Sequence, residues 1–142
     1  MLPVCQEQIQ ETTSLGKKLQ HSSNPPISIV DDNRSVVEAI VSLIQSVGYK
    51  AKGFHSADDF LKSGQLIKTA CLILDVRMPE IGGFELQRRL TAKNHRIPII
   101  FITAYDSDDV RAQAFQAGAV GLLCKPFGQE FPFQAVGSAL AN

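Results

Sequence analysis

A pair of aspartates, a third aspartate, a threonine and a lysine each close an apolar run in this chain. The run 27–30 ends in Asp31-Asp32, 71–74 in Asp75, 99–102 in Thr103 and 120–124 in Lys125. In an open parallel sheet, ligands bind beyond the carboxyl ends of the strands, in the crevice where strand order reverses. If the four runs are such strands, three carboxylates, a hydroxyl and an ammonium converge on one spot. That set suits a divalent metal and a phosphoryl group. Three carboxylates repel one another by roughly 3 kcal/mol per pair at about 5 Å and an effective dielectric near 20, so the cluster calls for a cation. Mg²⁺ matches hard oxygen ligands and keeps several waters, and Lys125 adds a fixed positive charge. Neutralised equatorial oxygens and a positioned nucleophile are what phosphoryl transfer needs. Asp75 is the best nucleophile, and its attack yields an aspartyl phosphate.

The elements that must position these groups are legible. From Ile27 onward, strand and helix patterns alternate. Val36, Val37, Ile40, Leu43, Ile44 and Val47 recur at helical spacing, with Gly48 as the stop. A short strand at 49–54 follows, and then Ser56-Ala57-Asp58-Asp59, a hydroxyl cap with acids in the first turn, opens a brief helix stopped by Gly64. The continuous apolar run at 71–74 marks a strand buried on both faces. Pro79 and Gly82-Gly83 make a turn before a helix at 84–90. Pro98 opens the next strand, Asp106-Ser107-Asp108-Asp109 another acidic helix start, and Gly118 its stop. A fifth strand spans 120–124. A last helix after Pro132 carries Phe133, Val136 and Leu140. Five strands alternating with five helices through short turns require right-handed crossovers and a parallel sheet. The expected fold is a flavodoxin-like (βα)₅ α/β domain with strand order 2-1-3-4-5, which sets Asp31-Asp32 and Asp75 at the switch point.

Bulk composition narrows the class. The 142 residues suffice for one domain with a proper core. Residues 1–25, Gln-rich and closed by Pro25-Pro26, read as an extension; 26–142 form the domain. Lys plus Arg (14) balance Asp plus Glu (14), so charge points to neither a nucleic-acid nor a membrane partner. No apolar stretch has the length of a membrane span and no hydrophobic signal core opens the chain, which makes the cytoplasm the default. Three cysteines without a C-x-x-C pair fit a reducing compartment. Cys71 and Cys124 read as small buried hydrophobes and Cys5 as part of the extension. His55 and His95 read as exposed loop residues, and His21 belongs to the extension.

The motifs I-V-D-D at 29–32, L-D-V-R-M-P at 74–79, G-G-F-E-L at 82–86, F-I-T-A at 101–104 and A-G-A-V-G-L-L-C-K-P-F at 117–127 together resemble the receiver domain of bacterial two-component response regulators. The resemblance spans about 27–141. It implies that Asp31 and Asp32 help bind Mg²⁺ and that the backbone carbonyl of Arg77 completes the metal shell. It implies that Asp75 takes a phosphoryl group from a sensor histidine kinase or a histidine phosphotransfer protein. Thr103 would move to hydrogen-bond the phosphoryl oxygen and Lys125 would pair with it, with a cis bond before Pro126 turning the lysine inward. Such a domain is consumed as a substrate and is not classed as an enzyme. D-V-R-M-P followed by a helix is similar to receivers fused to a LuxR-type output domain. The expected readout is therefore a downstream protein target or a missing C-terminal output domain, with no nucleic acid bound through this domain. Dimers through the fourth helix, fifth strand and last helix are common in similar proteins, although Gly137 interrupts that helix here.

One position departs from the pattern. Three residues before the lysine the family usually carries Tyr or Phe, and this chain has Leu122. The phosphorylation chemistry should survive and the readout should differ. Arg77 and Tyr105, each two residues beyond a site residue, bring bulk that would obstruct attacking water and slow loss of the phosphate. Each site residue also has a duller explanation. Asp31 or Asp32 can cap the helix starting near Arg34, Asp75 can serve a turn, Thr103 suits any strand, and Lys125 can be a solvated charge. Coincidence at four strand ends argues against all four together. Among rivals, a phosphatase of the haloacid dehalogenase kind wants a second acid where Arg77 stands. A dinucleotide-binding domain wants a G-x-G-x-x-G after the first strand. The alternative that survives is a non-phosphorylated pseudo-receiver acting as a docking module.

Overall fold

The computed structural model describes residues 25–105, 107–125 and 133–141. Along them run β1 (Ile27–Val30), α1 (Arg34–Ser46), β2 (Ala51–Phe54), α2 (Ala57–Lys62), β3 (Cys71–Asp75), α3 (Gly83–Ala92), β4 (Ile99–Thr103), α4 (Asp108–Gln116), β5 (Gly121–Cys124) and α5 (Phe133–Ala141). Every pairing is parallel and the order is β2-β1-β3-β4-β5, the flavodoxin-like arrangement expected from the alternation.

The sheet is a partition between two cores, which is why β1, β3 and β4 have no polar-out alternation. Ile27, Ile29, Ile73, Ile100 and Ile102 project toward α1 and α5, meeting Val37, Ile40, Ile44 and Val136. Their strand neighbours Val30, Leu72, Leu74 and Phe101 project the other way, onto Phe60 of α2, Leu86 and Leu90 of α3 and Ala114 of α4. This is the period-two geometry of a strand buried on both sides. Each such fully buried aliphatic or aromatic side chain contributes about 1.5–3 kcal/mol. The frame that holds the carboxyl ends in place is therefore stiff.

Local signals act as their chemistry suggests. Ser56 Oγ accepts the Asp59 N–H at 3.0 Å and Ser107 Oγ accepts that of Val110 at 3.2 Å, capping α2 and α4, whose first turns carry Asp58-Asp59 and Asp108-Asp109. Gly48, after α1, holds φ at +95°, the left-handed turn that ends the helix.

Several expectations need correction. α1 is capped by Asn33, whose side chain accepts the Ser35 and Val36 N–H groups; neither Asp31 nor Asp32 serves as its cap. Val47 falls outside the buried stripe as the C-cap and is exposed. The second strand starts at Ala51 rather than 49, and the fifth at Gly121 rather than 120. β3 and β4 each extend one residue further, to include Asp75 and Thr103. Cys71 is buried as expected, its thiol pushed up to about 12 by burial. Cys124, on the edge strand, is only half-buried, and so are His55 and His95. Cys5 and His21, the extension over 1–24 and the peptide bond before Pro126 lie outside the described residues. Among the described residues no helix is long and apolar enough to cross a membrane.

Candidate functional site

Strand register builds the site. β1 and β3 pair Val30 with Leu74, β3 and β4 pair Asp75 with Ile102, and β4 and β5 pair Thr103 with Cys124. Asp31 therefore comes level with Asp75, Thr103 stands one residue further along β4 and Lys125 just beyond the end of β5, all at the carboxyl edge. Asp31, Asp75 and Lys125 continue the side-chain alternation of Ile29, Ile73 and Leu123, so all three keep to the α1/α5 side of the pleat. The main chain locks the edge: the Val76 N–H donates to Ile102 O at 2.9 Å and the Lys125 N–H to Thr103 O at 2.8 Å.

The structure brings together the residues singled out in the sequence. Asp31 (0% exposed), Asp75 (4%) and Thr103 (1%) are buried, which for the two carboxylates is unusual. Lys125 Nζ lies 2.9 Å from Asp31 Oδ2 and 3.6 Å from Asp75 Oδ1. Asp32 is exposed at the rim, yet one oxygen from each of Asp31, Asp32 and Asp75 falls within a 4.8 Å cluster. Asp31 Oδ1 accepts the Asn33 N–H at 2.9 Å. Its Oδ2 meets the Lys125 ammonium at 2.9 Å and no other donor among the described residues. A buried carboxylate oxygen left in that state, with two more carboxylates at ligand spacing, fits a hard cation. The acidic pocket can bind a metal ion.

Electrostatics point the same way. Burial pushes Asp75 up to about 7, and the charge of Asp31 pushes in the same direction against the opposing pull of Lys125. Burial lowers the affinity of Lys125 for its proton, but the bond to Asp31 and the charge of Asp75 outweigh it and the ammonium is held above its ordinary value. One lysine does not neutralise two buried acids and a third at the rim.

Two features went unread in the sequence. Gly83 opens α3 directly against β3: a Cβ there would collide with the Asp75 carbonyl oxygen, and its N–H donates to Val76 O at 2.9 Å. The glycine pair had signalled a turn but not this close approach. The Arg77 guanidinium stacks over the Tyr105 ring, 4.2 Å from its centroid. Both residues had been noted for bulk, and nothing in their spacing announces that they touch. Arg77 otherwise sits exposed on the loop after β3, and Leu122 is half-buried on the face of α2, α3 and α4.

An open parallel sheet with an acidic, lysine-flanked crevice at its switch point is the arrangement of a receiver-type signalling domain. Comparison with known proteins agrees: residues 27–136 match the response regulator receiver domain, and the chain belongs to that family. It is similar to the response regulator protein TmoT of Ectopseudomonas mendocina, 40% identical over 126 residues, which covers 89% of this chain and 57% of that one. It is also similar to the response regulator protein TodT of Pseudomonas putida, 41% identical over 124 residues, 86% of this chain and 55% of the relative. The chain thus spans about half the length of these curated relatives. A solved response regulator receiver protein from Burkholderia phymatum superposes with a TM-score of 0.71 at 41% identity, covering 82% of this chain and 95% of that one.

Proposed function

We infer that residues 26–142 form a phosphoacceptor switch in which Asp75 accepts a phosphoryl group from the phosphohistidine of a sensor histidine kinase or a histidine phosphotransfer protein. Residues 1–25 would precede the domain as an extension. A carboxylate oxygen of Asp75 attacks phosphorus, the P–N bond breaks, and the donor imidazole departs with the electron pair. Asp31, Asp32, Asp75 and the Arg77 carbonyl would hold Mg²⁺, which supplies charge neutralisation for the phosphoryl oxygens. Lys125 pairs with one of those oxygens, drawn from its present contacts with Asp31 and Asp75. Thr103 donates its hydroxyl to another.

The single observation behind this reading is the buried, over-acidic cluster. Asp31 and Asp75 are buried beside one another, and one lysine leaves them under-compensated. A docking module with no phosphate would have no use for that arrangement. The chain is consumed rather than regenerated, so it works as a substrate of signalling and not as an enzyme. It would act in the cytoplasm, passing its state to a downstream protein or to an output domain of a longer chain.

Incubation with acetyl phosphate and Mg²⁺ should add the mass of one phosphoryl group, and Asp75→Asn should abolish the gain. A chain that gains nothing is a docking module, and one that releases phosphate with steady turnover is a phosphatase. The bulk of Arg77 and Tyr105 beside the crevice is further expected to shield the acyl phosphate from water. Its lifetime should then fall several-fold in Arg77→Ala, and an unchanged lifetime removes that role.

A further inference from the structure

The Thr103 hydroxyl has one proton to give, and here that proton is committed. Oγ1 donates to Tyr105 O at 3.1 Å and accepts the Tyr105 N–H at 3.0 Å, so the side chain is clamped on both sides by one residue's backbone. A hydroxyl carries a single donor. It cannot serve the Tyr105 carbonyl and a phosphoryl oxygen on Asp75 at once. Capture of the phosphoryl group by Thr103 therefore requires the bond to the Tyr105 carbonyl to break.

Tyr105 is restrained from its other end. Its ring, 56% exposed, lies under the Arg77 guanidinium. That contact ties the loop after β4 to the loop after β3, the strand that carries Asp75. Leu122, by contrast, has no polar atom with which to sense the hydroxyl. Tyr105 is the residue that touches it.

We propose that the Arg77–Tyr105 stack is a resting-state latch. It holds Tyr105 in place, the Tyr105 carbonyl keeps the Thr103 hydroxyl proton engaged, and phosphoryl capture opens these contacts together. The moving aromatic of this chain is then Tyr105, displaced at the crevice mouth. This rests on the phosphoacceptor reading above. A phosphoryl mimic binds the open state, so its apparent affinity is reduced by whatever fraction the latch keeps closed. An exposed cation–π contact biases such an equilibrium by roughly two- to five-fold.

The test uses the full chain with Mg²⁺ and beryllofluoride as the mimic. The sequence has two tyrosines, so 3-fluorotyrosine labelling gives two ¹⁹F resonances, assigned with Tyr49→Phe. On titration the Tyr105 resonance should shift and that of Tyr49 should stay. Tyr105→Leu should lower the half-saturating beryllofluoride concentration roughly two- to five-fold. Tyr105→Phe, which keeps a ring under the guanidinium, should restore most of the parent's value. In a Thr103→Val background the gain from Tyr105→Leu should vanish, because the clamped hydroxyl is gone. Weaker or unaltered binding by Tyr105→Leu overturns the latch, and so does a Tyr105 resonance that stays fixed while the mimic binds. A parent chain that binds no mimic and gains no mass from acetyl phosphate removes the phosphoacceptor reading, and the latch falls with it.

Discussion

The two ends of the central strands treat buried polar groups in opposite ways. Near the amino end, Ser28 and Thr69 are buried, neutral and joined: their hydroxyl oxygens lie 2.7 Å apart, and Thr69 Oγ1 donates to Gln65 O at 2.7 Å. At the carboxyl end, Asp31 and Asp75 are buried, of like charge, and share one lysine. The same strands, a few residues apart, thus carry a closed hydrogen-bond chain and an open electrostatic cluster. The amino end follows the rule that buried polar groups are satisfied. The carboxyl end departs from it where a ligand would complete the set. Local frustration, rather than burial or polarity alone, marks the working end of the sheet.

The sharpest way to break this contrast is to remove the lysine. Lys125→Met leaves the Asp31 carboxylate, 0% exposed, without its 2.9 Å counter-charge. Stripping one partner from a buried ion pair typically costs about 3–5 kcal/mol. Urea unfolding at neutral pH without divalent ions should show a loss near the lower end of that range, since the lysine side chain is itself 20% exposed. Added Mg²⁺ should restore part of it. A loss under about 1 kcal/mol, the value of an ordinary hydrogen bond, would mean that the carboxyl end is no more strained than the amino end.

A second effect carries a definite sign with pH. In the folded chain Asp75 is raised to about 7 from 3.8, burial being the main cause and Asp31 the next. Between those values the folded chain holds a proton that the unfolded chain has released. Stability therefore falls as pH rises through this window and stays at its lower level above it. Asp75→Asn cannot ionise and escapes the loss. Without divalent ions its melting temperature should exceed the parent's by about 5 °C at alkaline pH, and the two should converge at acid pH. Thermal scans across that range decide it. A variant less stable than the parent at alkaline pH would show that the Asp75 charge is well compensated.

How far these residues could be read from sequence depends on how local their causes are. The strands that carry the site are continuous apolar runs, and a strand buried on both faces permits little else. The polar residues ending them were therefore conspicuous, and the switch-point topology followed from strand–helix alternation. Ser56 and Ser107 were legible as caps because capping acts within a single turn. Asn33 was missed because two aspartates stand just before it and offer the same chemistry; only the backbone decides which residue takes the cap. The close approach of Gly83 to the Asp75 carbonyl and the Arg77–Tyr105 stack depend on how separate loops meet over the sheet edge. No periodicity or spacing within one segment encodes that. The half-burial of Cys124 follows from β5 being an edge strand, a consequence of the expected strand order that was not carried through to this residue.

The smallest effect sharpens the contrast from the amino end. Thr69 gives its only proton to Gln65 O, so the Ser28 hydroxyl must be the donor of the bond between them. Ser28→Ala removes that donor and leaves Thr69 with its own bond intact, an oxygen lone pair being all that goes unpaired. The expected loss is about 1 kcal/mol. Because no charge is involved, the loss should be equal at acid and alkaline pH, unlike that at Asp75. Phosphoryl uptake from acetyl phosphate should proceed as in the parent, since the rigid run from Ser28 to Val30 stays packed on both faces. Parallel urea curves at two pH values, with a mass measurement on the treated variant, check both points. A pH-dependent loss, or impaired uptake, would mean that strain at one end of β1 is felt at the other, and that the two ends of the sheet cannot be tuned separately.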